Sequence, residues 1–164
     1  MTDTKTTLAA LVVMLLCCLE CAAYAKPSEA RQALRILCPS HVDLAPAFDR
    51  AAGRYGLDVV LLIAVAAAES RCDVHARGKR GEIGLLQLLP EGSAARGTPV
   101  DRLEMPATNL RLGARHIAKW WSVCGDLAGA LGIFSGRKTC KAGRASPYAR
   151  RVLELFEQAK GAKS

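Results

Sequence analysis

The stretch Val59-Val-Leu-Leu-Ile-Ala-Val-Ala-Ala-Ala68 is apolar at every position and is followed directly by Glu69-Ser70. A helix that is apolar on all sides is buried on all sides. The stretch therefore predicts a central helix, with Asp58 as its N-cap. A carboxylate at the end of such a helix is expected to lie on the floor of a cavity, where burial raises its pKa. Because an acid that keeps its proton near neutral pH can protonate a glycosidic oxygen, Glu69 is the candidate catalytic acid.

A compact segment punctuated by glycines, Gly81-Glu82-Ile83-Gly84-Leu85-Leu86-Gln87-Leu88-Leu89-Pro90, follows the apolar stretch. It lies within residues 71–105, which are rich in Gly, Arg and Pro. These residues predict irregular backbone with short helical turns near 85–88 and 91–95. A long irregular stretch in a small domain is typical of a functional loop. We therefore pair this segment with Glu69 as the candidate functional region.

Helical periodicity dominates the rest of the chain, and strand signals are nearly absent. Gly56 is expected to end one helix, and Asp126 to cap another. The composition is rich in Ala and Leu and poor in aromatic residues, which fits a compact domain. The predicted fold class is all-α, a single domain with little or no β-sheet. Beyond the apolar stretch, the predicted helices cover residues 30–37, 41–55, 106–124, 127–134 and 147–159.

The first 25 residues have the pattern of a signal peptide. An unbroken apolar run at residues 8–19 precedes Ala23-Tyr24-Ala25, which places small residues where a signal peptidase cleaves. The run is short for a bilayer span, although an uncleaved anchor is the alternative. We expect residues 26–164 to form an exported domain, periplasmic or secreted, with no stable membrane span after cleavage.

The charge of the chain favours polyanionic partners. The net charge is +8 over the 164 residues. The basic residues are scattered and do not alternate with aromatic residues that could stack on bases, so nucleic acid is not an expected partner. Anionic polymers of the cell envelope are the partners that an exported basic protein meets first. We expect a monomer.

Four cysteines lie beyond residue 25, and an even number in a small exported domain predicts two disulfides. Three pairings are possible, and we favour one of them. It joins Cys38 to Cys72, which ties the amino-terminal segment to the helix end that carries Glu69, and Cys124 to Cys140. The cysteines lack the CxxC or histidine spacing of a zinc site, so neither a metal nor a cofactor is expected.

These residues resemble a known family. The motif Glu69-Ser70 at a helix end, then Gly84-Leu85-Leu86-Gln87-Leu88, then Asn109 with Gly113, then Ala130-Leu131 near Phe134-Ser135-Gly136, is similar to the lysozyme-like domain of soluble lytic transglycosylases. The order and spacing match across roughly residues 43–155. The short exported form with additional cysteines resembles the small transglycosylases that serve secretion systems. The resemblance therefore implies an envelope-spanning secretion machinery as a possible partner.

The resemblance implies an activity and a set of site residues. The family cleaves the β-1,4 bond between N-acetylmuramic acid and N-acetylglucosamine in peptidoglycan, without water, and leaves a 1,6-anhydro ring. Glu69 matches the catalytic acid, and Ser70 matches a serine that orients it or contacts the substrate. Gln87 matches a glutamine that lines the sugar groove, whose wall is shaped by Gly84, Leu85 and Leu86.

Four positions depart from the family pattern. The family usually has Tyr-Asn where this chain has Phe134-Ser135, so the tyrosine hydroxyl near the catalytic glutamate is missing. Phe134 and Ser135 remain candidate substrate-binding residues, and Tyr148 is the candidate to supply the hydroxyl. The family often has serine where Gly78 stands and alanine where Glu82 stands, which leaves Glu82 unexplained.

Two alternatives remain open at this point. A hydrolytic muramidase on the same fold would need a second carboxylate, for which Asp73 and Glu82 are the nearest acids. A catalytically silent protein that binds the cell wall as a scaffold is favoured by Phe134 and Ser135. A mechanism with one acid fits better, because the acetamido oxygen of the sugar can stabilise the cationic carbon.

Overall fold

The computed structural model describes residues 28–140 and 145–161. Within these two ranges the backbone forms helices and turns, and the only β-pairing consists of isolated bridges that join Ile83 to Arg77 and to Leu88. The prediction of an all-α fold is confirmed. The helices are α1 Glu29–Leu37, a 3-10 helix Pro39–Leu44, α2 Ala45–Tyr55, α3 Val59–Ser70, α4 Val100–Leu103, α5 Pro106–Cys124, α6 Leu127–Phe134 and α7 Pro147–Gly161.

Helix α3 is the centre of the fold, as its sequence predicts. Residues 60–67 are buried, and α1, α2 and α7 pack against them. Each large apolar side chain buried here stabilises the fold by about 1.5–3 kcal/mol. The helix begins at the predicted cap, where Asp58 Oδ1 accepts a hydrogen bond from the Val60 N–H at 2.8 Å. It ends at Arg71, which adopts a left-handed conformation with φ 56°.

Helix α5 packs against α2 and α6 and supports residues 71–99, which we call the irregular segment. Gly113 of α5 faces this segment, and a Cβ at Gly113 would lie 2.2 Å from Leu86 Cδ1. The absence of a side chain at Gly113 therefore lets the segment pack closely on α5. Helix α6 begins at the predicted cap Asp126, whose Oδ1 accepts a hydrogen bond from the Gly129 N–H at 2.6 Å.

The structure differs from the predicted helices at three places. Residues 41–55 were expected to form one helix, but His41 has non-helical φ −129°, and α2 begins only at Ala45. Pro46 then occupies the first turn of α2, where its missing N–H costs nothing. Residues 85–88 form a tight turn instead of a helical turn. The short helix α4 was not predicted.

Two disulfides join the cysteine pairs that the sequence analysis favoured. Cys38 and Cys72 link the end of α1 to the segment after α3, with a Cα–Cα distance of 6.0 Å. Cys124 and Cys140 link the end of α5 to the segment after α6, with a Cα–Cα distance of 5.4 Å. The first disulfide fixes the backbone three residues beyond Glu69.

The predicted signal peptide at residues 1–25 lies outside the described residues. Among the described residues, no single helix has both the length and the apolar composition of a membrane-spanning helix. The segments Pro39–Tyr55 and Val59–Ser70 meet that test only when they are taken together, and they are bent by 118° at the break between them.

Candidate active site

A cavity of about 480 Å³ lies at the carboxyl end of α3, and we call it the Glu69 cavity. One wall comes from residues of the irregular segment between positions 78 and 94. The other comes from the end of α6 and the start of α7. The lining residues are Glu69, Gly78, Lys79, Arg80, Glu82, Gln87, Leu88, Leu89, Gly92, Ser93, Ala94, His116, Ile133, Phe134, Ser135, Gly136 and Tyr148.

Glu69 lies half-buried in this cavity, at the last turn of α3. Burial raises the pKa of Glu69 above its ordinary value of 4.5. A polar contact with Tyr148 lowers the pKa, the negative charge of Glu82 raises it, and the charges of Arg151 and Arg80 lower it. The net direction is upward because burial is the largest of these effects. Glu69 therefore keeps its proton to a higher pH than an exposed glutamate does.

Tyr148 reaches the cavity from α7 and lies beside Glu69. Its hydroxyl is buried and forms no well-aligned hydrogen bond with a described residue, yet it is close enough to influence the pKa of Glu69. Tyr148 and Glu69 therefore make a close polar contact and not a hydrogen bond, because a hydrogen bond needs a favourable angle as well as a short distance. Burial, followed by the negative charge of Glu69, raises the pKa of Tyr148, so the phenol stays protonated.

Phe134 and Ser135 also line the cavity, as predicted. The ring of Phe134 stacks on that of Tyr148, with 6.5 Å between the ring centroids. Ser135 Oγ donates a hydrogen bond to the Gly132 carbonyl at 2.9 Å. Phe134 has no hydroxyl, and the neighbouring Tyr148 is the residue whose hydroxyl interacts with Glu69.

Gln87 lines the cavity in an unusual backbone conformation. Its φ is 44°, in the left-handed region that a residue with a side chain rarely adopts. Its side-chain Nε2 donates to the carbonyls of Gly84 and Ala76 at 2.9 and 3.2 Å. These bonds hold the amide in place, and Oε1 accepts no hydrogen bond from a described residue.

Ser70, Gly84, Leu85 and Leu86 do not line the Glu69 cavity. Leu85 and Leu86 are fully buried. Ser70 Oγ donates to the carbonyl of Leu85 at 2.9 Å and to that of Ala66 at 3.2 Å. Ser70 and Leu85 connect the irregular segment to α3, whereas Gly84 and Leu86 lie against α5. These four residues support the cavity wall from behind and do not form its surface.

Asn109 is the central anchor of this wall, a role that the sequence analysis did not assign to it. Its Oδ1 accepts a hydrogen bond from the Leu86 N–H at 2.9 Å. Its Nδ2 donates to the carbonyls of Ile83 at 2.9 Å and Leu103 at 3.0 Å. The sequence signal for this role was an asparagine on an apolar helix face, because a buried amide requires partners.

Among the cavity residues that were not predicted as binding residues, four have ionisable side chains: Lys79, Arg80, Glu82 and His116. Burial lowers the pKa of His116, and the positive charges of Lys119 and Arg115 lower it further. Its position could have been predicted, because it follows Gly113 by three residues and so shares its helix face. Asp73 does not line the cavity, and its Oδ1 accepts a hydrogen bond from the His75 N–H at 2.8 Å.

Glu82 is bound within its own turn. Its Oε1 lies 2.7 Å from Arg80 Nε, and its Oε2 accepts a hydrogen bond from the Arg80 N–H at 2.9 Å. Burial alone would raise the pKa of Glu82, but the contacts with Arg80 lower it below the ordinary value. Glu82 is therefore ionised and paired. No group of three or more His, Cys, Asp or Glu side chains in residues 28–140 and 145–161 is arranged to hold a metal ion.

The model of the family described as the transglycosylase SLT domain matches residues 46–136, which include Glu69, Gln87 and Phe134. None of the curated proteins matches the chain. The matched range covers more than half of the chain, and the chain belongs to the SLT family. The family and the all-α lysozyme-like fold indicate a protein of the lytic transglycosylase type that acts on peptidoglycan.

Proposed function

We propose that this protein is a lytic transglycosylase that cleaves the MurNAc-β-1,4-GlcNAc bond of peptidoglycan and leaves a 1,6-anhydro-MurNAc end. The observation that carries the proposal is the place of Glu69, at the end of a buried helix and inside a cavity, where burial raises its pKa. A protonated carboxylic acid in such a place can act on a glycosidic oxygen. No cofactor takes part in this mechanism.

In the first step, protonated Glu69 donates its proton to the glycosidic oxygen. The bond between this oxygen and C1 of MurNAc breaks, and the GlcNAc-terminated strand leaves as an alcohol. The acetamido oxygen of MurNAc attacks C1 and stabilises the positive charge, as in substrate-assisted glycosidases.

In the second step, the Glu69 carboxylate acts as a base. It takes the proton from the C6 hydroxyl of the same sugar, and the C6 oxygen forms a bond to C1 as the acetamido oxygen leaves. Glu69 regains its proton, and no water is consumed. One carboxyl group therefore serves as both acid and base.

The surroundings of Glu69 support this mechanism over hydrolysis. An inverting or retaining hydrolase needs a second carboxylate that is free to activate water or to attack C1. Glu82 shares the cavity with Glu69, but Arg80 occupies both of its oxygens.

The remaining cavity residues have proposed roles in positioning. Tyr148 orients the Glu69 carboxyl through their polar contact. Gln87 and Ser135 contact the sugars, since both line the cavity. Ser70, Gly84, Leu85 and Leu86 support the wall through backbone and packing contacts.

The proposal extends to where the protein acts. Residues 1–25 would direct export, and residues 26–164, with a core at about 43–155, would act in the periplasm or outside the cell. Two disulfides fit an oxidising compartment. The proposed substrate partners are peptidoglycan glycan strands, and an envelope-spanning secretion machinery is a second proposed partner.

Mass analysis of the muropeptides released from purified sacculi tests the proposal. The wild-type protein should release anhydro-muropeptides, and Glu69→Gln should release none. Products with a reducing MurNAc end would instead establish a hydrolytic muramidase. If the wild-type protein and Glu69→Gln both bind sacculi but release nothing, the protein is a wall-binding scaffold and the enzyme proposal is wrong.

A further inference from the structure

Residues 78–82 form a tight turn at the edge of the Glu69 cavity, and we call it the rim turn. The Gly78 N–H donates to the Glu82 carbonyl at 2.9 Å, and the Gly81 N–H donates to the Gly78 carbonyl at 3.1 Å. Gly78, Lys79, Arg80 and Glu82 all line the cavity. The rim turn therefore carries two cations and one anion into the space that the substrate would occupy.

Glu82 holds the side chain of Arg80 in a defined position. Its carboxylate contacts the Nε and the backbone N–H of Arg80, so the guanidinium is held from one side only. The two terminal nitrogens of this guanidinium contact no described residue. The Glu82 side chain is 13% exposed, whereas the Arg80 side chain is 75% exposed. The anion of the pair is thus held inside the turn, and the cation is exposed at the edge of the Glu69 cavity.

Gly78 makes this arrangement possible. A Cβ at position 78 would lie 2.2 Å from Glu82 Oε2 and 2.8 Å from both Cβ and Cδ of Glu82. A larger residue would therefore push the carboxylate out of the turn. The glycine at position 78 and the glutamate at position 82, which looked like separate departures from the family pattern, form one packed unit.

We propose that the rim turn is a carboxylate-binding subsite, in which Arg80, positioned by Glu82, recognises a carboxylate carried by the glycan substrate. The identity of the substrate rests on the proposed function above. A guanidinium with two free terminal nitrogens matches the two oxygens of a carboxylate in a planar fork. Lys79 is exposed, forms no ion pair with a described residue, and adds a positive charge beside this fork.

Orientation, rather than net charge, is the physical basis of this subsite. An exposed ion pair contributes little when two long side chains must be ordered to form it. Glu82 already orders Arg80, so less rotamer freedom is lost when a ligand binds. Glu82→Gln raises the net charge by one but releases Arg80. Orientation therefore predicts weaker binding for this variant, whereas net charge alone predicts stronger binding.

Binding to sacculi in the Glu69→Gln background tests the subsite without cleavage. Three substrates are compared: untreated sacculi, sacculi whose carboxyl groups are converted to amides, and glycan strands stripped of peptide, whose only carboxylate is the lactyl group that removal of the peptide frees. We expect Arg80→Gln to weaken binding to untreated sacculi by about 3- to 10-fold, the size of one charge-assisted contact at an exposed site. It should have almost no effect on amidated sacculi.

The matched control is Arg54→Gln, which removes the same charge from an exposed position outside the cavity. An Arg80 effect on untreated sacculi that disappears on stripped strands identifies a peptide carboxylate, and one that persists there shows that the subsite also accepts the lactyl carboxylate. The subsite proposal would be overturned if Arg54→Gln and Arg80→Gln weakened binding equally. It would also be overturned if Arg80→Gln weakened binding to amidated sacculi as much as binding to untreated sacculi. If the Glu69→Gln protein bound none of the three substrates, the proposed function itself would fail.

Discussion

Burial of the Glu69 carboxyl lowers the free energy of unfolding, and the same burial supports its proposed role as an acid. An acid whose pKa is raised by folding binds its proton more tightly in the folded state than in the unfolded state. The free energy of unfolding therefore falls as the pH rises from the ordinary pKa of 4.5 towards the raised folded value. The proposed role of Glu69 as an acid and this loss of stability have one physical cause, which is burial.

The first prediction concerns Glu69→Gln. The uncharged amide removes the cost of burying a carboxylate, so we expect a higher unfolding temperature than that of the wild-type protein at pH 7. The difference should vanish below pH 4.5, where the wild-type carboxyl is protonated in both states. Thermal unfolding at several pH values measures this, and an equal difference at all pH values would contradict a raised pKa.

The second prediction concerns Tyr148→Phe. Loss of the hydroxyl removes an interaction that lowers the pKa of Glu69, so the pH above which activity falls should move upward. We also expect kcat to drop by about 10-fold, because an orienting polar contact is worth about 1.5 kcal/mol. The control is Tyr55→Phe in α2, outside the cavity. An unmoved pH profile would contradict an effect of the Tyr148 hydroxyl on the pKa of Glu69.

At the scale of elements, the irregular segment behaves as a structured wall rather than a loop. It lacks a sheet or a helix of its own to satisfy its backbone groups, and buried backbone groups need partners. Asn109, Ser70 and the Gln87 amide supply these partners from neighbouring elements and from the segment itself. The wall therefore depends on a few side chains that lie far from it in the sequence.

The third prediction follows from this dependence. Asn109→Ala removes three hydrogen bonds to backbone groups of Leu86, Ile83 and Leu103, and should cost about 2–4 kcal/mol of the free energy of unfolding. Chemical denaturation measures this loss. Thr108→Ala, one residue earlier on α5, should change stability by less than about 0.5 kcal/mol. Similar losses for both variants would show that Asn109 has no special anchoring role.

At the scale of the whole molecule, the two disulfides close loops of different length. Their cysteines are 34 and 16 residues apart. Loop-closure entropy assigns about 4 kcal/mol to the longer loop and about 3 kcal/mol to the shorter one. The longer one also fixes the end of α3 beside Glu69, whereas the shorter one secures the segment after α6.

The fourth prediction compares the two disulfides. Replacing Cys38 and Cys72 by alanine should lower the unfolding temperature more than replacing Cys124 and Cys140. It should also reduce release of muropeptides at temperatures below the unfolding transition, because the backbone after Glu69 loosens. Calorimetry and an activity assay on the two double variants check this. The opposite ranking in both measurements would refute the role assigned to the Cys38–Cys72 link.

The amino-acid sequence by itself predicted most of the helices and five of the residues that line the Glu69 cavity, namely Glu69, Gln87, Phe134, Ser135 and Tyr148. The apolar run that ends in Glu69 and the caps Asp58 and Asp126 are local patterns, and the even number of cysteines is a feature of composition. All of them can be interpreted without coordinates. The break before Ala45 was missed although Pro46 signals it, because proline fits the first turn of a helix but disrupts a helix interior.

Only the tertiary structure decided how distant side chains meet. It placed Tyr148 from α7 beside Glu69 from α3, made Asn109 the anchor of the cavity wall, and folded Glu82 over Gly78 so that Arg80 faces the cavity. Periodicity and capping depend on neighbours within about four residues along the chain. Contacts between α3, α5, α7 and the rim turn instead depend on how the helices pack, and local sequence patterns do not specify that packing.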